Sequence, residues 1–457
     1  MAGISFELRK VLRENTLTSI FKAFGYSVAL SSGPYIISIL SLIGLHFLSY
    51  EVIKDKTVLI KFQVSVTYLI AFSLIYTGFS QLFFTRYVAD RIFEMDYGRV
   101  LPNFIGITIL NMVPAFFLSI LFSVVFLSKE AGYFFSLLFS FTFTILTGIW
   151  MVNIVLTSLK SYKFILFSFF TGYATFLLFA YLLSEFGLNG LIFSFFCGQS
   201  ILFTLLLFYF IYQHYSDTFM EFDFFSRKKI HISLIFTGFF YNLALWVDKF
   251  VFWFNDLTGT IVLGPMRYSI VYDIPIFLAY LAIAPGMAIF FLKLEGEFTL
   301  YYDRYYYAVR NGLTLEKIYT YGDQMISSAR AVILDTIRLQ GVFDIIVIMF
   351  DEFLFNVFKI PLIYLPLFHI LLFGAYLQLI LLAIFALFFY FDRRRESLIL
   401  AFSFFILNLS LSGMTVLLGP YFYGYGFTVS IFITVVVSLL LLRKFLHQIH
   451  YYTFMLR

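Results

Sequence analysis

Long apolar runs separated by short polar or basic stretches make up almost the whole chain. A membrane-crossing helix needs about 20 predominantly apolar residues. Read for such runs, the sequence predicts twelve, at 23–48, 62–85, 101–127, 132–158, 164–184, 188–212, 232–254, 263–292, 340–358, 361–390, 397–418 and 422–442. The second and fourth carry scattered Ser and Thr. The eighth is interrupted by Pro265, Pro275 and Pro285-Gly286, and the ninth carries Asp344, Asp351 and Glu352, to which the pattern assigns no role.

Composition narrows the class further. The 457 residues are 61% hydrophobic and only 12% charged, with a mean hydropathy of +0.93. Soluble domains are about 25% charged, so this chain cannot coat a water-facing surface of its own size. One cysteine, Cys197, excludes a disulfide scaffold and reads as packing in an apolar span. The expectation is an all-α polytopic membrane protein, and the net charge of +5 then speaks for no nucleic-acid partner.

Basic residues stay on the cytoplasmic side of spans. With the N-terminus inside, 24 of the 31 Lys and Arg fall in cytoplasmic segments, five lie outside, and two, Lys249 and Arg267, fall within or at the mouth of spans. Both termini are therefore expected in the cytoplasm. Residues 1–22 lack the short apolar core of a cleavable signal and read as an amphipathic segment on the inner surface.

The polar stretch 213–231, with Arg227, Lys228 and Lys229, divides the chain into halves of six spans, 23–212 and 232–457. Each half begins and ends inside, which is a parallel-repeat arrangement. One connection, 293–339, is long enough to form a cytoplasmic helical insertion. It contains Tyr301, Tyr302, Arg304, Tyr305, Tyr306, Tyr307 and Arg310. These residues suit either packing on the chain's own membrane domain or docking of a cytosolic partner, because exposed Tyr and Arg are typical of interfaces.

Signatures of catalysis are absent. No phosphate-binding GxxxxGK[ST] loop, HExxH, CxxC or GxSxG occurs, so no enzyme activity, metal or cofactor is expected, and energy from ATP would have to come from another chain. The informative residues are polar groups inside spans, which are costly in hydrocarbon and usually face a bundle interior or a wet cavity. The seventh span carries Asn242, Asp248 and Lys249, and the eighth opens with Arg267 and Asp273. Folding the two spans into a hairpin about Gly259 predicts Lys249–Asp273 and Asp248–Arg267 pairs. They would be a structural salt-bridge knot, the polar lining of a translocation cavity, or a proton or ion site. Helix breaks at Ser31-Ser32-Gly33-Pro34, Pro275 and Pro285-Gly286 would suit a cavity, where interrupted backbone is tolerated.

Three blocks, MAGISFELRKVLRE with KAFGYSVALSSGPYIISIL, FYNLALWVDKFVFWF, and MRYSIVYDIPIFLAYLAIAPGMAIFFLKLEGEF, together resemble the PelG family. These are inner-membrane transporters of the Pel exopolysaccharide, similar to polysaccharide flippases of the multidrug/oligosaccharidyl-lipid/polysaccharide exporter (MOP) superfamily. The resemblance implies two six-helix lobes around a central cavity and an amino-sugar polymer as substrate. It also implies a bacterial inner membrane location and three protein partners: a cytosolic Pel glycosyltransferase, a cyclic-di-GMP-binding membrane protein and a small repeat-containing membrane protein. Asp248, Lys249, Arg267 and Asp273 lie inside the matching blocks. Two other readings stay open: a flippase for lipid-linked oligosaccharide or a drug/cation antiporter of the same fold, and a membrane scaffold for the glycosyltransferase that transports nothing.

Overall fold

The computed structural model describes residues 17–52, 56–226 and 231–455. Residues 1–16, 53–55, 227–230 and 456–457 lie outside it, and with them most of the expected amphipathic segment 1–22 and the Arg227-Lys228-Lys229 run.

The apolar runs form long helices because a chain in hydrocarbon must satisfy every backbone polar group within itself. The first seven helices are α1 (Leu17–Val52), α2 (Lys56–Phe93), α3 (Val100–Phe126), α4 (Ser128–Ser158), α5 (Tyr162–Leu182), α6 (Gly187–Gln213) and α7 (Ile232–Trp253). A hairpin of β1 (Thr260–Leu263) and β2 (Met266–Tyr268) follows. Then come α8 (Ile270–Ala282), α9 (Ala284–Phe291), a π-helical turn (Leu292–Phe298) and α10 (Thr299–Arg310). The chain ends with α11 (Leu315–Met349), α12 (Asp351–Val357), α13 (Leu365–Tyr390), α14 (Arg394–Leu418), α15 (Tyr425–His447) and α16 (Ile449–Met455).

Among the described residues, eleven helical stretches are long and apolar enough to cross a membrane. The protein is a multi-pass, nearly all-helical membrane protein. The α11 helix carries Asp335, Arg338 and Asp344 in its apolar half and is not among the eleven. The expected ninth span, 340–358, is instead the end of α11 followed by a break at Phe350 and the short α12.

Three further expectations are corrected. The eighth span does not run through Pro265. Gly264 takes φ +53°, the turn Gly264-Pro265 joins β1 to β2, and the helix starts only at Ile270. Nor is α1 broken at Ser31-Ser32-Gly33-Pro34, since it is helical from Leu17 to Val52 with Pro34 inside. Pro275 likewise lies inside a continuous α8. Membrane helices tolerate interior proline where neighbouring groups take up the freed carbonyl. Of the expected breaks, only Pro285-Gly286 falls where the helix is interrupted.

Two compact units emerge, Pro34–Ile270 and a second made of Met1–Gly33 with Val271–Arg457. These units part at 33/34 and 270/271, so the seventh span lies in the same unit as the helices before it.

In the Pro34–Ile270 unit, α7 packs along α2 at a close crossing. A Cβ on Gly238 would lie 2.3 Å from the Gly78 carbonyl oxygen, and one on Gly78 would lie 2.8 Å from that of Gly238. Small residues of this kind let membrane helices approach backbone to backbone. The scattered polar residues of α2 and α4 serve as interhelical glue. Trp150 Nε1 donates to Ser73 Oγ at 2.9 Å, and Ser80 Oγ donates to Asn111 Oδ1 at 2.6 Å. Residues 213–226 are anchored as well: fully buried Phe224 inserts among Phe83, Phe84 and Tyr87, and Asn103 Oδ1 accepts the Asp223 N–H at 2.7 Å.

In the second unit, α11 packs against α9, α10, the π turn and α13. Lys293 fastens the π turn to it, reaching Glu297 at 2.9 Å and Asp335 at 3.0 Å.

Candidate functional site

The charged residues of α7 form a pair on a single helix. Asp248 is fully buried and Lys249 is 6% exposed. Lys249 Nζ lies 3.2 Å from Asp248 Oδ2, donates to the Leu245 carbonyl at 2.8 Å, and stands 5.8 Å from the Trp246 ring centre. Neutralising Lys249 within its own helix lowers the desolvation penalty that a lone ammonium would carry in hydrocarbon. Asn242, expected on the same stripe, donates through Nδ2 to the Leu74 carbonyl at 3.0 Å and bonds α7 to α2.

Arg267 does not pair with Asp248. Its guanidinium meets Asp256 Oδ1 at 2.9 Å, and the Asp256 side chain is 93% exposed. The β-hairpin explains this correction, because it turns the chain within 260–268 instead of continuing a helix past Asp248. The Arg267 backbone is held by Tyr68, whose hydroxyl accepts the Arg267 N–H at 3.0 Å and donates to the Arg267 carbonyl at 3.1 Å. The Tyr68 ring stacks on Trp253 at 5.0 Å. Asp273 lies in the first turn of α8, where a carboxylate favours the helix start.

The second unit holds a polar constellation around the α8–α9 junction. Ile283 has φ −81° and ψ −4°, and α9 restarts with Ala284-Pro285 in its first turn. Ser32, only 3% exposed, turns its hydroxyl to the Ala284 carbonyl at 3.5 Å and lies 3.3 Å from the Ser31 hydroxyl. The expected polar residues of the first span and the Pro285-Gly286 break therefore meet. Gln340 on α11, fully buried, reaches the same junction: its Oε1 accepts the Gly286 N–H at 2.9 Å and its Nε2 donates to the Ala282 carbonyl at 3.0 Å. Nε2 also donates to Asp344 Oδ1 at 2.6 Å. Nearby, Tyr280 donates to Gln378 Oε1 at 2.8 Å.

Sequence reasoning singled out Asp344 but missed Gln340, although a glutamine four residues before an aspartate on a helix shares its face. Asp351 pairs with His369 of α13 and also accepts the Glu352 N–H. A histidine distant in sequence gave no signal of that pairing.

The tyrosine run divides between interior and surface. Tyr305 is fully buried, with its hydroxyl 3.2 Å from His450 Nδ1 and donating to Thr453 Oγ1 at 3.3 Å. Tyr302 donates to the Tyr390 carbonyl at 3.0 Å, and Tyr390 in turn donates to buried Glu295 at 3.1 Å. Tyr301 is half-buried beside Arg304, whose guanidinium stands 5.9 Å from its ring, and Tyr306 is half-buried against Tyr302 and Tyr305. Arg304, Tyr307 and Arg310 face outward. Burial pushes the His450 pKa below the ordinary histidine value, with Asp323 opposing the shift.

Chemically, these constellations supply amide, hydroxyl and single carboxylate groups along helix interiors. Among the described residues no three His, Cys, Asp or Glu side chains gather where they could hold a metal ion.

A family comparison decides what kind of molecule carries this arrangement. Residues 1–454 match the sequence model described as "PelG: Putative exopolysaccharide Exporter (EPS-E)". The chain belongs to the PelG family. No curated protein sequence matches it.

Solved structures supply the fold of this PelG-family chain. It is similar to a MATE protein in its straight conformation, with TM-score 0.62 and 12% identity over 92% of this chain and 96% of that one. An outward-facing multidrug resistance MATE transporter of the MOP superfamily gives 0.59 and 12% over 92% and 95%. A MOP-superfamily transporter from Pyrococcus furiosus, described as having a binding pocket of reverse polarity, gives 0.58 and 12% over 92% and 96%. At this identity the likeness concerns fold. Family and fold together make the protein a membrane transporter.

Proposed function

We propose that this chain passes a nascent exopolysaccharide, the amino-sugar polymer Pel, from the cytosol to the periplasm across a bacterial inner membrane. The observation that carries this reading is the PelG-family match over residues 1–454. The transporter fold is consistent with it.

The reading includes twelve crossings with both termini in the cytoplasm. Support for the ninth comes from α11, whose far end exposes Val342, Ile345, Ile346, Ile348 and Met349, an apolar surface suited to lipid. An even number of crossings puts the termini on one side, and the distribution of Lys and Arg makes that side cytosolic.

Export of a growing polymer requires the enzyme that makes it. The proposal therefore keeps the cytosolic Pel glycosyltransferase, the cyclic-di-GMP-binding membrane protein and the small repeat-containing membrane protein as partners. The docking face on α10 narrows to Arg304, Tyr307 and Arg310, because Tyr302 and Tyr305 already bond within their own unit. Replacing the three exposed residues with Ala should weaken co-purification with the glycosyltransferase while leaving the chain folded.

Reconstitution with the glycosyltransferase in sealed vesicles tests transport directly. Polymer protected in the lumen only when this chain is present is the expected result. Active synthesis with all polymer left outside would refute the proposal.

A further inference from the structure

The Gln340 carboxamide occupies the place of one backbone hydrogen bond. In a continuous helix the Gly286 N–H would bond the Ala282 carbonyl, four residues back. Here those two groups are the ones that Gln340 engages: Gly286 N–H to Oε1 at 2.9 Å and Nε2 to the Ala282 carbonyl at 3.0 Å. The next rung is regular, with the Met287 N–H on the Ile283 carbonyl at 3.0 Å. A side-chain amide has thus been inserted into a single rung of the helix ladder, one of the recognised causes of a local helix opening.

The surroundings are shaped for this insertion. Pro285 has no N–H, so the neighbouring rung is missing in any conformation. Gly286 leaves the space, since a Cβ there would lie 2.4 Å from both Gln340 Oε1 and Leu379 Cδ2. The second Nε2 proton of Gln340 goes to Asp344 Oδ1 at 2.6 Å, which fixes which end of the amide is the donor. Tyr376 on α13, donating to the Ile337 carbonyl at 3.4 Å, is the titratable side chain facing Asp344 from the packed helices.

Two arrangements of this junction are nearly balanced in hydrogen bonds. With the amide inserted, Gln340 makes three bonds, and Ala282 and Gly286 are both satisfied. With the amide withdrawn, Ala282 and Gly286 bond each other, and Gln340 keeps Asp344. The difference is about one hydrogen bond, whereas an ordinary helix opening abandons its rung outright. A packed element with two discrete, closely matched arrangements is what a conformational switch requires.

We propose that the α8–α9 junction is a two-state hinge whose open form is held by the Gln340 carboxamide, with Asp344 keeping that amide in register. Gln340 acts on the junction through these bonds and is a positioning residue. The inference does not depend on which substrate the chain carries.

Distance measurement across the junction tests it. Spin labels at Phe277→Cys and Asp303→Cys, on a Cys197→Ser background, flank the hinge in the full-length chain. A single dominant distance is expected with Gln340 intact. Gln340→Leu removes every bond of the amide and should raise a second, longer-distance population at least fivefold. An unchanged distribution in a folded Gln340→Leu protein would overturn the proposal.

Gln340→Glu covers the case in which the leucine variant does not fold. Burial and the neighbouring Asp344 carboxyl disfavour its charged form, so it ionises only in alkali; there the carboxylate can accept from Gly286 but cannot donate to Ala282, and the longer population should appear. At low pH the carboxylic acid recovers both functions and should restore the single distance. Longer distances that persist at low pH, or never appear even in alkali, would equally overturn it. Asp344→Asn keeps an acceptor for Nε2 and should leave the dominant distance in place, whereas Asp344→Leu should not; equal behaviour of the two would remove Asp344 from the device.

Discussion

The Tyr68 hydroxyl and the Arg267 backbone satisfy each other completely: one N–H is accepted at 3.0 Å and one carbonyl is donated to at 3.1 Å. A phenol on α2 thereby serves as the missing neighbour of a two-stranded hairpin, whose edge groups would otherwise need water.

Tyr68→Phe should destabilise the protein by about 1–3 kcal/mol, because it removes the partner of a half-buried donor and acceptor together while leaving the ring on Trp253. Arg267→Met should cost less, about 0–1 kcal/mol, since its ion pair reaches the exposed Asp256. Chemical unfolding in detergent measures both. The reverse order would show that the Arg267 side chain, not its backbone, is what the hairpin depends on.

Asp248 and Lys249 should prove strongly coupled. Lys249→Met alone removes the ammonium from beside a fully buried carboxylate, and Asp248→Asn alone removes the carboxylate that lies 3.2 Å from the ammonium. The double variant should be more stable than the sum of the singles by about 1–3 kcal/mol. A double-mutant cycle that closes near zero would mean that the two charges do not stabilise each other. Export by a folded double variant would take both residues out of the transport path.

Close approach of α2 and α7 makes the size of residue 238 critical. Gly238→Ala places a methyl 2.3 Å from the Gly78 carbonyl and must push the helices apart, and Gly238→Val pushes them further. Overpacking of this kind typically costs about 1–3 kcal/mol. Thermal unfolding midpoints should fall in the order Gly, Ala, Val, whereas Gly25, with open space around it, should tolerate Ala.

Contact between α16 and the 293–339 segment should weaken in acid. Folding holds the His450 pKa below its ordinary value of 6.5, so the unfolded form binds the proton more readily. The contribution is complete above about pH 6.5 and declines as pH falls from there through the folded value. Hydrogen exchange at 317–325, next to the His450 contacts with Tyr319 and Gly322, should quicken over that range. Substituting His450→Gln should flatten this pH dependence, and an unaltered profile in that variant would assign the effect to another group.

The span pattern was legible because hydropathy is a local property: about 20 apolar residues in sequence predict a crossing wherever they later pack. The α11 helix escaped the clean pattern for the same reason, since Asp335, Arg338 and Asp344 dilute its apolar half. The charged residues of α7 were visible too, because scarcity makes an ion in an apolar run conspicuous.

Partners were not legible in the same way. Gln340 meets Ala282 and Gly286 at separations of 58 and 54 residues, and no periodicity connects them. Tyr305 reads like an interface residue in sequence, yet it is buried against His450 and Thr453. Arg267 lies close to Asp248 only if the eighth helix begins at 263; the β-hairpin takes up 260–268 and directs Arg267 to Asp256. Local hydropathy and spacing were enough to read off the class, most of the helices and the residues too polar to be idle. Tertiary structure alone decided which of them meet, because a hydrogen bond depends on a few ångströms of three-dimensional placement, whereas apolar burial needs only the right surface to face lipid or core.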